Sequence, residues 1–296
     1  MPITETQREA RRKHLGSSDV AAILGVDPFK NAYDVWLEKT GKVDGIEDNQ
    51  AMFAGRLFEA GVLKFAEKQL GKLIRNQYRS AKNLPIGANI DALVVQGNEP
   101  VEAKTCGLYG PLREEWGEDG TDRVPDRVLV QAHVHMLCAE RPVCHVAAFI
   151  GGRGFHLYHV PEDKELTEII TEKAVEFWEK NVQADIPPAN TVPSLALIKR
   201  IRREPDLVTI VPDGLVQKWL DAQQAKKDAE KLCDAAQAEL LAALGQAEAG
   251  DCSFGRVTYL EQSRSSIDVK AIKEQMPDIA AKYTTSTTYR VLRFKK

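Results

Sequence analysis

Between Lys72 and Thr105 the chain breaks into three short β-prone runs, Leu73 to Tyr78, Ile86 to Val95 and Val101 to Thr105. Gly97-Asn98-Glu99-Pro100 supplies turn chemistry between the last two, so the three read as a meander. Helical patterns precede it. Thr4 to His14 is basic and helix-prone; Gly16-Ser17-Ser18-Asp19 makes a turn in which Ser18 or Asp19 caps a helix ending at Gly25. A second helix runs through Tyr33, Trp36 and Leu37 to Gly41. A third, from Asn49 to Gly71, carries the stripe Phe53, Leu57, Val62 and Phe65 with Glu59 close beside it.

After the meander, a Gly-, Pro- and acid-rich loop from Gly107 to Pro125 leads to a helix from Asp126 to Ala139. Strands at Val143 to Ile150 and Gly154 to His159 follow, then an amphipathic helix from Asp163 to Gln183. Helices, sheet, helix, strands and helix in that order predict an α/β core spanning 1–190, with a central mixed sheet flanked by helices. Pro187, Pro188 and Pro193 mark its end, and the basic run Lys199-Arg200-Ile201-Arg202-Arg203 lies in a linker expected over 191–211. The remainder, 212–296, reads as an α+β extension. It has one long helix from Pro212 to Leu244 stopped by Gly245, a short helix at Asp268 to Gln275, and strands at Arg256 to Glu261 and Thr287 to Phe294.

Composition excludes several classes. No apolar run approaches the roughly 20 residues of a membrane helix, and the charged N-terminus lacks the apolar centre of a secretion signal, so the expected location is the cytoplasm. The five cysteines are odd in number and contain no Cys-x-x-Cys pair, which argues against a disulfide framework and a zinc knuckle. A net charge of −3 advertises no polyanionic partner, although a local basic patch on an acidic protein still binds phosphates.

The chemistry concentrates in Ile90-Asp91-Ala92 and, one hairpin turn later, Val101-Glu102-Ala103-Lys104-Thr105. Residues two apart on a strand share a face, so Glu102 and Lys104 point together. An antiparallel partner strand brings Asp91 to the same space. Phosphodiester hydrolysis needs a hard cation held by oxygen atoms, an activated water and charge compensation at the phosphate. Asp91, Glu102 and the Ala103 backbone carbonyl are candidate magnesium ligands, with manganese as a substitute. Lys104 would orient the attacking water, and Glu59 would bind a second ion or an inner water.

A larger set of motifs resembles the phage-type exonucleases grouped as lambda exonuclease and YqaJ-like recombinases, within the PD-(D/E)XK nuclease superfamily. The resemblance covers Arg11 to Asp185. It rests on Arg11 with Leu15 to Gly25, on Gly55-Arg56-Leu57-Phe58-Glu59, on Asn89-Ile90-Asp91, on Val101-Glu102-Ala103-Lys104, and on Gln131 in Leu129-Val130-Gln131-Ala132. It implies a restriction-endonuclease-like core, metal ligation by Asp91 and Glu102, a catalytic Lys104, and supporting roles for Glu59 and Gln131. It further implies that Arg11, Ser18 and Asn89 contact the DNA, the first two receiving a terminal 5′-phosphate. The expected activity is magnesium-dependent 5′-to-3′ digestion of double-stranded DNA ends, leaving 3′ tails for recombination in a bacterial host carrying a phage or prophage. The expected associates are a single-strand annealing recombinase and two further copies in a homotrimer. Ile90 stands where the family usually has proline, and Asn89 departs from its small polar residue.

Two rival readings remain at this stage: an endonuclease using the same site, and a module that binds DNA ends without hydrolysing them. Other residues invite lesser roles. His133 and His135 lie two apart on a predicted helix, where side chains diverge by roughly 200°, so they do not form a metal pair. Trp116 reads as packing on its own domain rather than stacking on a DNA end. The alanine-rich stripe of the long helix reads as core or coiled-coil packing.

Overall fold

The computed structural model describes residues 5–43, 49–107, 113–189, 191–201, 203–286 and 290–294. The chain divides into two units, Met1–Leu207 and Val208–Lys296.

In the first unit α1 (Glu5–Arg12), α2 (Ser17–Ile23), α3 (Ala32–Lys39) and α4 (Gln50–Leu70) lead into β1 (Leu73–Ser80), β2 (Gly87–Val94) and β3 (Pro100–Cys106). Then come α5 (Asp126–Ala139), β4 (Val143–Ile150), β5 (Gly154–Pro161), α6 (Lys164–Phe177) and α7 (Leu195–Ile198). The five strands lie in sequence order in one sheet. All neighbours are antiparallel except β3 and β4, which run parallel. A parallel pair cannot be closed by a hairpin, and α5 supplies the crossover. The predicted α/β core with a mixed sheet is therefore what forms.

The two faces of the sheet are covered differently. On one, Val62, Leu63 and Ala66 of α4 pack against Ala92, Val101, Ala147 and Leu157. On the other, Val128, Ala132 and Met136 of α5 cover Val146, Ala148 and Tyr158. The opposite side of α5 is closed in turn, because Val130 and Val134 join a cluster with Val20 and Ala21 of α2 and Ile170 and Phe177 of α6. A helix enclosed on all sides must be apolar around its circumference, and burying each such side chain stabilises by about 1.5–3 kcal/mol. Polar residues on α5 consequently need a reason to be there.

Helix ends follow local chemistry. Asn31 accepts the Asp34 N–H at 3.1 Å while Asp34 accepts the Asn31 N–H at 3.3 Å, a reciprocal cap on α3. Asn49 caps α4 by accepting the Met52 N–H at 2.9 Å. The start of α2 corrects the sequence reading: Gly16 occupies the cap position, and Asp19, from inside the first turn, accepts the Gly16 N–H at 2.9 Å. Ser18 is exposed and does not cap.

Three further expectations change. The helix predicted to reach Gln183 is α-helical only to Phe177 and continues as a π-helical turn, Trp178–Gln183. The segment expected to be a linker from residue 191 docks on the first unit. Asn31 donates to the Val192 carbonyl at 2.9 Å, the Ser194 N–H donates to Asp34 at 3.0 Å, and Leu197 is buried. Prolines punctuate this stretch without preventing an apolar side chain from finding the core. Of the basic run, Arg202 lies outside the described residues.

The second unit contains α8 (Asp213–Leu244), a hairpin of β6 (Ala249–Cys252) and β7 (Gly255–Thr258), α9 (Val269–Gln275) and α10 (Pro277–Tyr283). The long helix and the short helix at 269 match the sequence pattern; β6 and α10 were not anticipated, and β7 is shorter than the run expected there. Of the strand expected at Thr287 to Phe294, residues 290–294 have no regular structure and residues 287–289 lie outside the described residues. No helix among the described residues is long and apolar enough to cross a membrane.

Candidate active site

The sheet contains a fork. β2 and β3 are in register only at Ala92 with Val101 and Leu93 with Pro100. Beyond that point β2 stays with β1, as far as the pair Gly87 and Ser80, while β3 follows β4, as far as Cys106 and Ile150. At the crotch the Asp91 carboxylate accepts the Ala103 N–H at 2.8 Å, in place of a main-chain acceptor on β2. The N–H and C=O of one strand residue point the same way, so the Ala103 carbonyl also faces the fork.

The predicted pairing across one strand residue holds: the Lys104 ammonium contacts Glu102 Oε1. Glu102 is buried, and its Oε2 lies 3.3 Å from His135 Nδ1 on α5. Burial pushes the Asp91 carboxyl well above the usual range, the Glu102 charge adds to this, and Lys104 with the Ala103 N–H opposes it. Glu59, half-buried on α4, acts on Asp91 through its charge and adds a smaller upward push. For Glu102 burial also works upward, but Lys104, then His135, and a hydrogen bond with Asp91 outweigh it and hold the carboxyl low. One carboxylate is thus kept ionised while its neighbour is pressed toward the acid form.

That imbalance, and the donor set, fit a hard divalent cation. Two carboxylates and a backbone carbonyl facing one gap are oxygen donors of the kind magnesium takes while keeping several waters. Among the described residues no three His, Cys, Asp or Glu side chains are grouped to hold an ion by themselves. Ligation here would therefore fall to Asp91, Glu102 and the Ala103 carbonyl, with water completing the shell.

Gln131 lies on α5, one turn before His135. It is buried, and its Oε1 has no hydrogen-bond partner. His133 and His135 diverge as the helical spacing predicts. His133 Nδ1 bonds the Leu129 carbonyl at 2.9 Å, and its Nε2 accepts the Asp163 N–H at 3.0 Å. The sequence reading missed that His135, taken alone, reaches Glu102. The available signal was its spacing of four from Gln131, which places both on one helix face.

The three residues expected at the DNA end are exposed and outside this cluster. Arg11 is exposed, and its carbonyl accepts the Lys39 ammonium at 2.7 Å. Ser18 is exposed on α2 and Asn89 on β2, opposite Tyr78. Trp116 packs inside its own unit, as expected, with its ring 5.2 Å from that of Tyr158.

Fold and site together define an α/β protein with a mixed five-stranded sheet whose fork gathers two carboxylates and a lysine. Residues 8–142 match the model of the YqaJ-like viral recombinase domain. Over 293 residues, 95% of this chain and 90% of the relative, the sequence is 27% identical to the uncharacterized protein YqaJ of Bacillus subtilis (strain 168). The crystal structure of LHK-Exo in complex with dAMP aligns with a TM-score of 0.50 at 18% identity, covering 62% of this chain and 94% of that one. LHK-Exo is an alkaline exonuclease from Laribacter hongkongensis; a second structure of it aligns with a TM-score of 0.48 at 19% identity, over the same shares of both chains.

Proposed function

We propose that this protein is a magnesium-dependent exonuclease that digests the 5′-terminated strand of linear double-stranded DNA and leaves 3′ single-stranded tails for phage-type recombination. The observation that carries the reading is the convergence of Asp91, Glu102 and Lys104 at the fork between β2 and β3. The YqaJ-like domain supports the recombination setting, and the name of LHK-Exo supports the exonuclease class.

A divalent ion at this site would supply Lewis acidity, neutralising charge on the phosphate and lowering the pKa of a water molecule. The chain's own residues do the rest. Asp91 is held by the Ala103 N–H, so its carboxylate is oriented before any ligand arrives. Lys104, fixed by Glu102, would orient the attacking water by a hydrogen bond, and its positive charge would favour loss of that water's proton and offset charge on the phosphate oxygens. Arg11 and Ser18 are assigned the terminal 5′-phosphate, a dianion that an arginine fork and a hydroxyl at a helix start suit.

The test is digestion of linear duplexes bearing either 5′-phosphate or 5′-hydroxyl, beside a covalently closed circle, with and without magnesium. Nucleotide release from the linear substrates alone, only with magnesium and faster with 5′-phosphate, is the expected result. Cutting of the circle would make the enzyme an endonuclease. End binding without release would reduce it to a binding module.

A further inference from the structure

His135 is 1% exposed, and neither ring nitrogen has an aligned hydrogen-bond partner. Its Nδ1 nevertheless stands 3.3 Å from Glu102 Oε2, while the other oxygen of that carboxylate is taken by Lys104. His133, two residues away on the same helix, has both nitrogens satisfied by the main chain. An unsatisfied buried polar group costs about 1–3 kcal/mol, and an apolar residue at position 135 would avoid that cost in a helix whose other buried residues are mostly Val, Ala and Met. Glu102 Oε2 stands within reach of a donor on this ring.

We propose that His135 is a positioning residue for Glu102. The neutral imidazole donates to Oε2 and fixes the carboxylate rotamer, so that Oε1 stays with Lys104 at the fork. Partners that orient a ligand from behind hold it in the geometry the ion needs, and losing one typically weakens metal affinity 10–100-fold. This inference rests on the metal-dependent nuclease reading.

The experiment compares the full-length protein with His135→Gln, which keeps a donor, and His135→Met, which keeps bulk without one. Each is titrated with manganese by calorimetry in the absence of DNA, melted without metal, and assayed for kcat and KM on linear duplex. The methionine variant is expected to melt at or above the wild-type temperature and to bind manganese about 10-fold or more weakly. It should lose kcat with KM for DNA unchanged, and glutamine should restore most of both losses. Should methionine disturb folding, His135→Leu supplies the donor-free comparison. Wild-type manganese affinity in the donor-free variant, or equal losses in both variants, would overturn the role of His135 while leaving the nuclease reading intact. A wild-type protein that neither binds manganese nor releases nucleotides would overturn both.

Discussion

The Asp91 carboxylate and the Ala103 N–H meet at 2.8 Å where β2 and β3 separate, so the residue that opens the sheet is also a candidate ligand. Asp91→Asn keeps an acceptor for that N–H and removes a charge buried beside Glu102. An acid whose folded pKa is raised binds more protons when folded, so the wild type loses stability as pH rises above the ordinary value of 3.8. The variant lacks that loss. Its metal-free melting temperature at neutral pH should equal or exceed that of the wild type, while turnover falls on the order of 10³-fold, about 4 kcal/mol of transition-state stabilisation. Thermal melts and nucleotide release measured on one preparation decide it; near-normal turnover would remove Asp91 from the site.

Lys104→Ala should match that loss of turnover with the opposite effect on stability. Glu102 is held ionised chiefly by this lysine, whose side chain is 19% exposed. Removing one partner of a buried pair strands the other charge and costs about 3 kcal/mol. Chemical denaturation without metal should show the drop, and a gel-shift assay should show duplex binding largely retained. A variant as stable as the wild type would mean that the contact at Glu102 Oε1 contributes little.

Asp19 anchors the first helices. Its carboxylate lies 2.8 Å from the Lys30 ammonium and 2.6 Å from that of Lys39, in addition to accepting the Gly16 N–H. Burial alone would raise its pKa, but the two lysines overcome this and hold it far below the ordinary 3.8. A depressed folded pKa contributes stability that is present above 3.8 and is lost as pH falls below it. Asp19→Asn should therefore destabilise by about 3–5 kcal/mol at pH 7, with the gap closing progressively in acid. Urea denaturation across that range reads the difference, and a gap independent of pH would exclude the charge as its source.

For Arg11→Ala the expected change is in substrate choice rather than chemistry. Arg11 is exposed and apart from the Asp91 cluster, so its loss leaves the carboxylates and Lys104 in place. The ratio of rates on 5′-phosphorylated and 5′-hydroxyl ends should fall toward one, with the hydroxyl rate preserved. An unchanged ratio would remove Arg11 from the terminal phosphate.

Much of this architecture was legible because its periodicities are strong. The meander, the helix from Asp126 to Ala139 and the pairing of Glu102 with Lys104 follow from turn residues, helical spacing and strand alternation. The fork did not follow, because strand patterns report which face a residue takes and not where two strands part. His135 was passed over because it was weighed against His133 alone; its partner is Glu102, distant in sequence. The linker was misjudged because prolines were taken as an end to packing, whereas Leu197 and Ser194, which caps α7, carry the chain back to α3.

The docking of this segment sets a test of where the first unit ends. Every candidate site residue, and among the described residues every buried apolar side chain, lies between Arg11 and Leu197, and no described residue after Leu207 is buried. A protein ending at Leu207 should fold cooperatively and keep magnesium-dependent turnover within a few-fold of the full chain. One ending at residue 190 loses the Val192 and Ser194 hydrogen bonds and uncovers the pocket that Leu197 fills. Losing that burial alone costs about 1.5–3 kcal/mol, which should appear as a clearly lower melting temperature. Equal melting of the two truncations would place the boundary at the prolines after all, while loss of turnover in the longer one would give the second unit a part in the chemistry.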